Sequence, residues 1–265
     1  MKKALLAHAV VAALSTFGAV SAVSAADNPI TANVTVATDY RFRGISQTLN
    51  GPALQGGFDY AHSSGFYVGN WNSNVDFGNA AAAAGANLEM DLYGGYKGEY
   101  SGLGYDVGAI RYYYPSALGY DTTEIYGGVS YGPLSGKLFY TVSDGYFGYR
   151  GAGAGKTDAK GTTYLDLGYT DALPFYDLTL NARVGIVDID NDFSGSDEIS
   201  YNHYTLGVTK PVLGTTVGLT FHKVSGLENG TAAAGGKQFY RATDGRGDNQ
   251  NLYKSALILS VSKAF

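Results

Sequence analysis

The chain has 265 residues, a formal charge of −5, 18 Lys plus Arg against 23 Asp plus Glu, and no cysteine. The absence of Cys excludes disulfides and thiolate metal sites, and an acidic chain with no basic cluster is a poor fit to nucleic acid. Tyrosine (23) and glycine (38) are far above ordinary usage, which suits a membrane barrel: Tyr sits at a headgroup boundary and Gly relieves crowding on curved strands.

Met1-Lys2-Lys3 followed by an apolar run to Ala22 and the small residues Ser24-Ala25-Ala26 reads as a secretory signal peptide over residues 1–26, cut after Ala25 or Ala26. The mature domain, 27–265, is then two charges more acidic. Beyond the signal peptide no stretch approaches the roughly 18 apolar residues that a helical membrane span needs.

Period two, rather than a helical period, recurs along the mature chain. A first strand over 31–43 places Ala32, Val34, Val36, Tyr40 and Phe42 on one face and Asn33, Thr35, Asp39, Arg41 and Arg43 on the other. Leu54, Phe58 and Tyr60 then alternate with Gln55 and Asp59. A third strand over 66–75 gives no clear outward face. Leu88, Met90, Leu92 and Tyr96 oppose Glu89, Asp91 and Lys97; Tyr105, Val107 and Ala109 oppose Asp106. The second half repeats the design around Ile125 against Glu124, Tyr140 against Lys137, Leu167 against Asp166, Ala182 against Arg183, Leu206 against His203, and Leu219 against His222. With the terminal strand this makes twelve. Short links (63–65, 98–102, 132–135, 171–176 and 211–214) alternate with generally longer ones (46–52, 76–87, 115–121, 144–160, 189–198 and 225–250). All six prolines fall in links or before the first strand. The expectation is an all-β transmembrane antiparallel up-and-down barrel of twelve strands, with short periplasmic turns, longer extracellular loops and both ends periplasmic.

The chain closes with Leu257, Leu259, Val261 and Phe265 on one face of its last strand and Ser260, Ser262 and Ala264 on the other. This ending resembles the terminal strands of outer-membrane barrels of Gram-negative bacteria, which implies recognition of Phe265 by the barrel-assembly machinery and contact with outer-membrane lipid and lipopolysaccharide. Asp39-Tyr-Arg-Phe-Arg-Gly-Ile-Ser-Gln47, Pro52-Ala-Leu-Gln-Gly-Gly-Phe-Asp-Tyr60, Gly65-Phe-Tyr-Val-Gly69, Asn74-Val-Asp-Phe77, Tyr112-Tyr-Tyr-Pro115 and Ser262-Lys-Ala-Phe265 resemble motifs of the TorF family, assigned as porins by inference from architecture and also known as conserved hypothetical outer-membrane proteins. The resemblance spans essentially the whole mature chain. It implies a channel in the bacterial outer membrane and supplies no solute.

On this parity the polar faces line the lumen, and Asp39, Arg41, Arg43, Asp59, Glu89, Asp91, Glu124, Asp166 and Arg183 are the candidate pore-lining residues. Acids and bases nearly balance, so no ion selectivity is read, and twelve strands imply a narrow, partly obstructed pore for small solutes. Arg41 and Arg43 suit a constriction for anionic solutes, but balanced lumen charges are expected first to pair with one another. His203 and His222, equally far from the centre of the 211–214 turn, are expected opposite each other. Without further ligands in view they make a weak metal site, and no cofactor is expected.

Asp188-Ile-Asp-Asn-Asp192 with Asp197 and Glu198 reads as a solvated acidic loop, because it lacks the Gly and the twelfth-position Glu of a calcium loop. Arg150 to Thr157 fails as a phosphate loop for want of its first glycine, and Arg246-Gly-Asp248 and Asn229-Gly-Thr231 are chance matches. The leading function is passive passage of small hydrophilic solutes. A membrane-embedded hydrolase or lipid-modifying enzyme would need a nucleophile that the motifs do not offer, so no enzyme activity is expected. A structural or adhesive barrel acting through the 225–250 loop is the third possibility.

Overall fold

The computed structural model describes residues 29–78, 85–117, 119–151, 158–192, 198–227 and 239–265; the signal peptide expected over 1–26 lies outside them. Twelve strands close into one antiparallel barrel in which nearly every strand pairs with its chain neighbour. They are β1 (Ile30–Ala37), β4 (Ala53–Ala61), β5 (Phe66–Asn74), β6 (Leu88–Tyr100), β7 (Leu103–Tyr113), β8 (Thr122–Tyr131), β9 (Leu134–Thr141), β10 (Thr163–Ala172), β11 (Thr179–Asp188), β12 (Tyr201–Val212), β13 (Thr215–Ser225) and β16 (Ala256–Ala264). Four short strands, β2 (Arg41–Phe42), β3 (Ile45–Ser46), β14 (Arg241–Thr243) and β15 (Asn249–Asn251), form two hairpins outside the barrel ladder.

The seam joins the two ends of the domain. β1 pairs with β16 from Asn33 opposite Ala264 to Ala37 opposite Ser260. Below that ladder Phe265 N–H donates to Ala32 O (2.9 Å) and Ala32 N–H to Phe265 O (3.2 Å), so the last residue is itself a rung. Two of the turns at this end, Ser101-Gly102 and Leu213-Gly214, are two-residue links with both φ values positive, the geometry whose twist matches paired strands.

The outer face is apolar: Leu54, Phe58, Phe66, Val68, Leu92, Val107, Ile125, Val129, Leu167, Leu206, Leu257 and Leu259 are all exposed. The strand count and the alternation of short and long links agree with the sequence reading. Three details differ. β1 ends at Ala37, six residues before the expected end, and takes Asp39, Arg41 and Arg43 off the wall. Pro211 lies inside β12, next to its last residue, rather than in the turn. The turn centre therefore moves to Leu213-Gly214 and the β12–β13 register with it, so that His203 faces Val224 and His222 faces Thr205. The two histidines sit diagonally, not opposite.

The abundance of Gly and Tyr has an internal cause as well as an interfacial one. Four inward aromatic side chains each face a glycine directly across the ladder: Tyr67 and Gly95, Tyr93 and Gly69, Tyr126 and Gly108, His203 and Gly185. With no Cβ opposite, the ring lies down against the wall. A Cβ at Gly108 would stand 2.5 Å from Tyr126 Oη and 2.6 Å from Gly94 O, so neither ring nor backbone has room for it. Gly108→Ala is therefore expected to destabilise the folded barrel by about 1–3 kcal/mol, the cost of forcing a packed interior apart. Urea unfolding followed by the fluorescence of Trp71, the single tryptophan, measures this. An unchanged midpoint would mean that the Gly–Tyr pairing is incidental.

Candidate functional site: an occupied lumen

The segment between β1 and β4 turns inward instead of rising from the rim. β2 and β3 pair as Arg41 with Ser46 and Phe42 with Ile45, and Arg43 (φ 48) and Gly44 (φ 86) make the two-residue turn between them. Asp39 organises this hairpin. Its Oδ2 accepts from Arg41 Nε (2.6 Å), and its Oδ1 accepts from Ser46 Oγ (2.6 Å) and Thr48 Oγ1 (3.2 Å). The rest of the Arg41 guanidinium donates to backbone oxygens of Leu252 (2.7 Å) and Lys254 (3.0 Å) and to Asn50 Oδ1 (2.9 Å), which ties the hairpin to the connection between β15 and β16.

The tip crosses the lumen. Arg43 Nη2 and Nη1 donate to Glu124 Oε2 (2.6 Å) and Oε1 (3.0 Å) on β8, five strands round the barrel from β1, in the bidentate geometry that suits a guanidinium. Arg43 Nη1 also donates to Tyr146 Oη (3.0 Å), and the guanidinium carbon lies 4.2 Å from the centre of the Tyr164 ring and 4.7 Å from that of Phe42. Beside it, Glu89 accepts from Tyr40 Oη and Tyr114 Oη, both at 2.6 Å. Glu89, Asp91, Glu124 and Arg43 are each no more than 3 % exposed, and Tyr40, Phe42, Tyr112, Tyr114, Tyr146 and Tyr164 pack around them. The outer half of the lumen is a core.

Toward the end that carries the short turns the lining turns polar. Asp166 pairs with Arg183, Lys137 Nζ with Asp106 (2.5 Å), and Asp59 accepts from Tyr93 Oη (2.7 Å). Tyr67 Oη donates to Asp106 (2.6 Å), and Lys97 Nζ is buried without a hydrogen-bond partner among the described residues, as is Asp91 Oδ1 in the outer core. Polar atoms left so inside a protein are where water or solute is accommodated.

Each of the nine sequence candidates thus has a definite position. Asp59, Glu89, Asp91, Glu124, Asp166 and Arg183 project inward from the wall; Asp39, Arg41 and Arg43 stand in the lumen on the inserted hairpin, not on strand one as the parity count had placed them. The correction has a simple cause: Thr38 and the turn at Arg43-Gly44 break period two, which also moves Tyr40 and Phe42 from the lipid side to the interior. Both arginines are spent in ion pairs, as charge balance favoured. The sequence reading missed the tyrosines of the lumen, although Tyr112, Tyr126 and Tyr164 each lie an even number of residues from an inward acid on the same strand. His203 accepts or donates at 3.0 Å with Tyr164 Oη, and among the described residues neither ring nitrogen of His222 has a hydrogen-bond partner. Among the described residues no three His or acidic groups come together as a metal site. The Arg246-Gly-Asp248 tripeptide is the exposed tip of the β14–β15 hairpin, where Asp244 Oδ1 accepts from the N–H groups of Arg246 and Asp248, both at 2.9 Å. Most of the phosphate-loop-like stretch, Asp197, and Asn229-Gly-Thr231 lie outside the described residues.

No protein of curated function matches this sequence. Among solved structures the NanC porin is similar, with a TM-score of 0.52 at 9% identity over 89% of this chain and 98% of that one. The KdgM porin follows at 0.48 and 9% over 89% and 99%. The outer membrane phospholipase A of Escherichia coli stands at 0.41 and 10% over 89% and 91%. At such identities the NanC likeness speaks for the barrel fold and nothing finer. Residues 21–265 match the family model described as "bacterial protein of unknown function (Gcw_chp)", so the chain belongs to the Gcw_chp family.

Proposed function

We propose that this protein is a porin-like channel of the bacterial outer membrane, passing small hydrophilic solutes passively when the 38–52 segment leaves the lumen. One observation carries the reading: inside a barrel with an apolar outer face, the inward positions keep ionisable side chains, Asp59, Lys97, Asp106, Lys137, Asp166 and Arg183, along the half that the hairpin does not reach. Charges at membrane depth are costly, and a barrel needing only stability would fill that space with apolar groups; a hydrated path is the usual reason to retain them. The resemblance of Asp39–Gln47 to a TorF-family motif supports the same direction. The hairpin is the obstruction, and Asp39, Arg41 and Arg43, which it carries, leave the path with it. The other six candidates line it throughout.

Replacing residues 39–51 by a short Gly-Ser linker is expected to convert rare, brief openings into steady single-channel steps in planar bilayers of potassium chloride. A replaced barrel that is still heat-modifiable but passes no current would overturn the channel reading.

Removing the pin alone has a separate signature. Arg43→Met leaves Glu124 buried without its partner, and the loss should be about 3–5 kcal/mol in the inserted state. Open probability should rise accordingly, and adding Glu124→Gln should return it most of the way. If Arg43→Met changes neither urea midpoint nor conductance, the ion pair does not hold the hairpin.

A further inference from the structure

Charge is distributed unevenly along the lumen wall. In the half that the hairpin does not reach, the six ionisable residues named above balance acid for base. In the outer half, among the described residues, the wall carries the inward acids Glu89 and Asp91 on β6 and Glu124 on β8, and no inward Lys or Arg. The cation that meets them is Arg43, which belongs to the hairpin, and it forms its ion pair with Glu124.

The other two acids differ in how they are satisfied. Glu89 accepts from two tyrosine hydroxyls. Asp91 is 1 % exposed, and its Oδ1 has no hydrogen-bond partner among the described residues. It shares a face of β6 with Glu89 and stands across the ladder from Tyr112, whose Oη lies 3.5 Å from Arg43 Nη2. A carboxylate oxygen closed off from solvent in this way is an unmet demand for a donor.

The groups around the Arg43 guanidinium divide by what carries them. Phe42 lies on the hairpin and Tyr146 on the connection between β9 and β10, whereas Glu124, Tyr112, Phe139 and Tyr164 belong to barrel strands. Glu124 does not depend on Arg43 for its orientation, because it also accepts from Tyr112 Oη (3.2 Å) and Thr141 Oγ1 (3.3 Å). The guanidinium carbon stands 4.2 Å from the centre of the Tyr164 ring and 5.4 Å from that of Phe139. An oriented carboxylate, an unpartnered carboxylate oxygen and two aromatic faces therefore stay in the wall when the tip leaves it. That set suits a planar cation.

We infer that the wall site under Arg43 is a subsite for cationic solutes, those bearing a guanidinium group above all, and that Arg43 is its tethered occupant in the closed barrel. The inference rests on the channel reading for the departure of the hairpin, and it gives that channel a solute class. With residues 39–51 out of the lumen, the path keeps three acids that no wall base offsets, so cations pass in preference to anions. A guanidinium fits better than an ammonium, since two parallel N–H groups meet Glu124 while the flat face meets Tyr164.

The barrel with residues 39–51 replaced by a Gly-Ser linker exposes the site, and each variant in that background is first checked for heat-modifiability. In a potassium chloride gradient its reversal potential should favour potassium over chloride, and Glu124→Gln or Asp91→Asn should each move it toward zero. A second readout needs no current. Trp71, the single tryptophan, faces Asp91 across the β5–β6 ladder. Its fluorescence should change with millimolar guanidinium chloride and not with equal potassium chloride. Glu124→Gln should raise the half-saturating concentration about tenfold, the loss of a charge-assisted bidentate pair. A reversal potential on the chloride side of zero, or no guanidinium-specific change at Trp71, would overturn the subsite and leave conduction itself untouched. A response that Glu124→Gln does not weaken would overturn its placement under Arg43. A saturable, Glu124-dependent response in a barrel that passes no current would uphold the cation site and sink the channel reading alone.

Discussion

A sheet in hydrocarbon cannot leave an edge open, because nothing around it can take up the unpaired N–H and C=O groups. Everything else in this molecule depends on how that demand is met at the β1–β16 seam. The two strands are separated by most of the chain, yet they pair from Ala37 down to a rung made by Phe265 itself. The C-terminal aromatic is thus a closing hydrogen-bonded residue with its ring outside, 68 % exposed, and not a tail beyond the barrel. Closure at twelve strands then sets the interior width, and the interior width sets the next problem.

Twelve strands enclose more space than wall side chains fill by themselves and less than a wide aqueous pore requires. The chain answers in two ways at two depths. Along the wall, rings lie flat against cross-strand glycines, which keeps bulky aromatic groups inside without meeting at the axis. Near the mouth one hairpin fills the remainder. Its fixings are largely polar: Asp39 inside the hairpin, Arg41 to loop carbonyls, Arg43 to Glu124, Tyr40 to Glu89. Buried ion pairs add little net stability over an apolar filling, but they define one position sharply. They also exchange for water more readily than apolar packing does. A polar latch on an aromatic plug therefore fixes the inserted position more sharply than a wholly apolar filling would.

The barrel was legible in the sequence because its physical cause is strictly periodic. Lipid on one side and a polar lumen on the other impose alternation on every spanning strand, and Leu88 to Lys97 or Leu178 to Ile186 show it without ambiguity. The hairpin was not, because alternation continues through Tyr40, Arg41, Phe42 and Arg43 after the strand has left the wall. Its own signal was local and short: two residues, Arg43-Gly44, between two alternating pairs. Gly44 fits that turn for a second reason, since a Cβ there would stand 2.8 Å from His203 Cβ. The histidine register failed for a related cause. Proline signals a turn in the sequence, yet Pro211 lies near the end of a strand, where it is compatible with the ladder because its missing N–H is not needed there.

One strand resisted orientation in the sequence, and it is the one that breaks the rule in three dimensions. Residues 66–75 offer Asn70, Asn72 and Asn74 on one face and Trp71 and Ser73 on the other, so neither face is plainly lipid or lumen by composition. The ladder settles it with the asparagines outward and Trp71 against the plug. Alternation reports the solvent on each side of a sheet. Where the outward side of a strand is polar, its side chains must find partners in the wall itself, and here they do: Asn72 Nδ2 donates to Asn70 Oδ1 and Gly56 O, and Asn70 Nδ2 to Asp91 O.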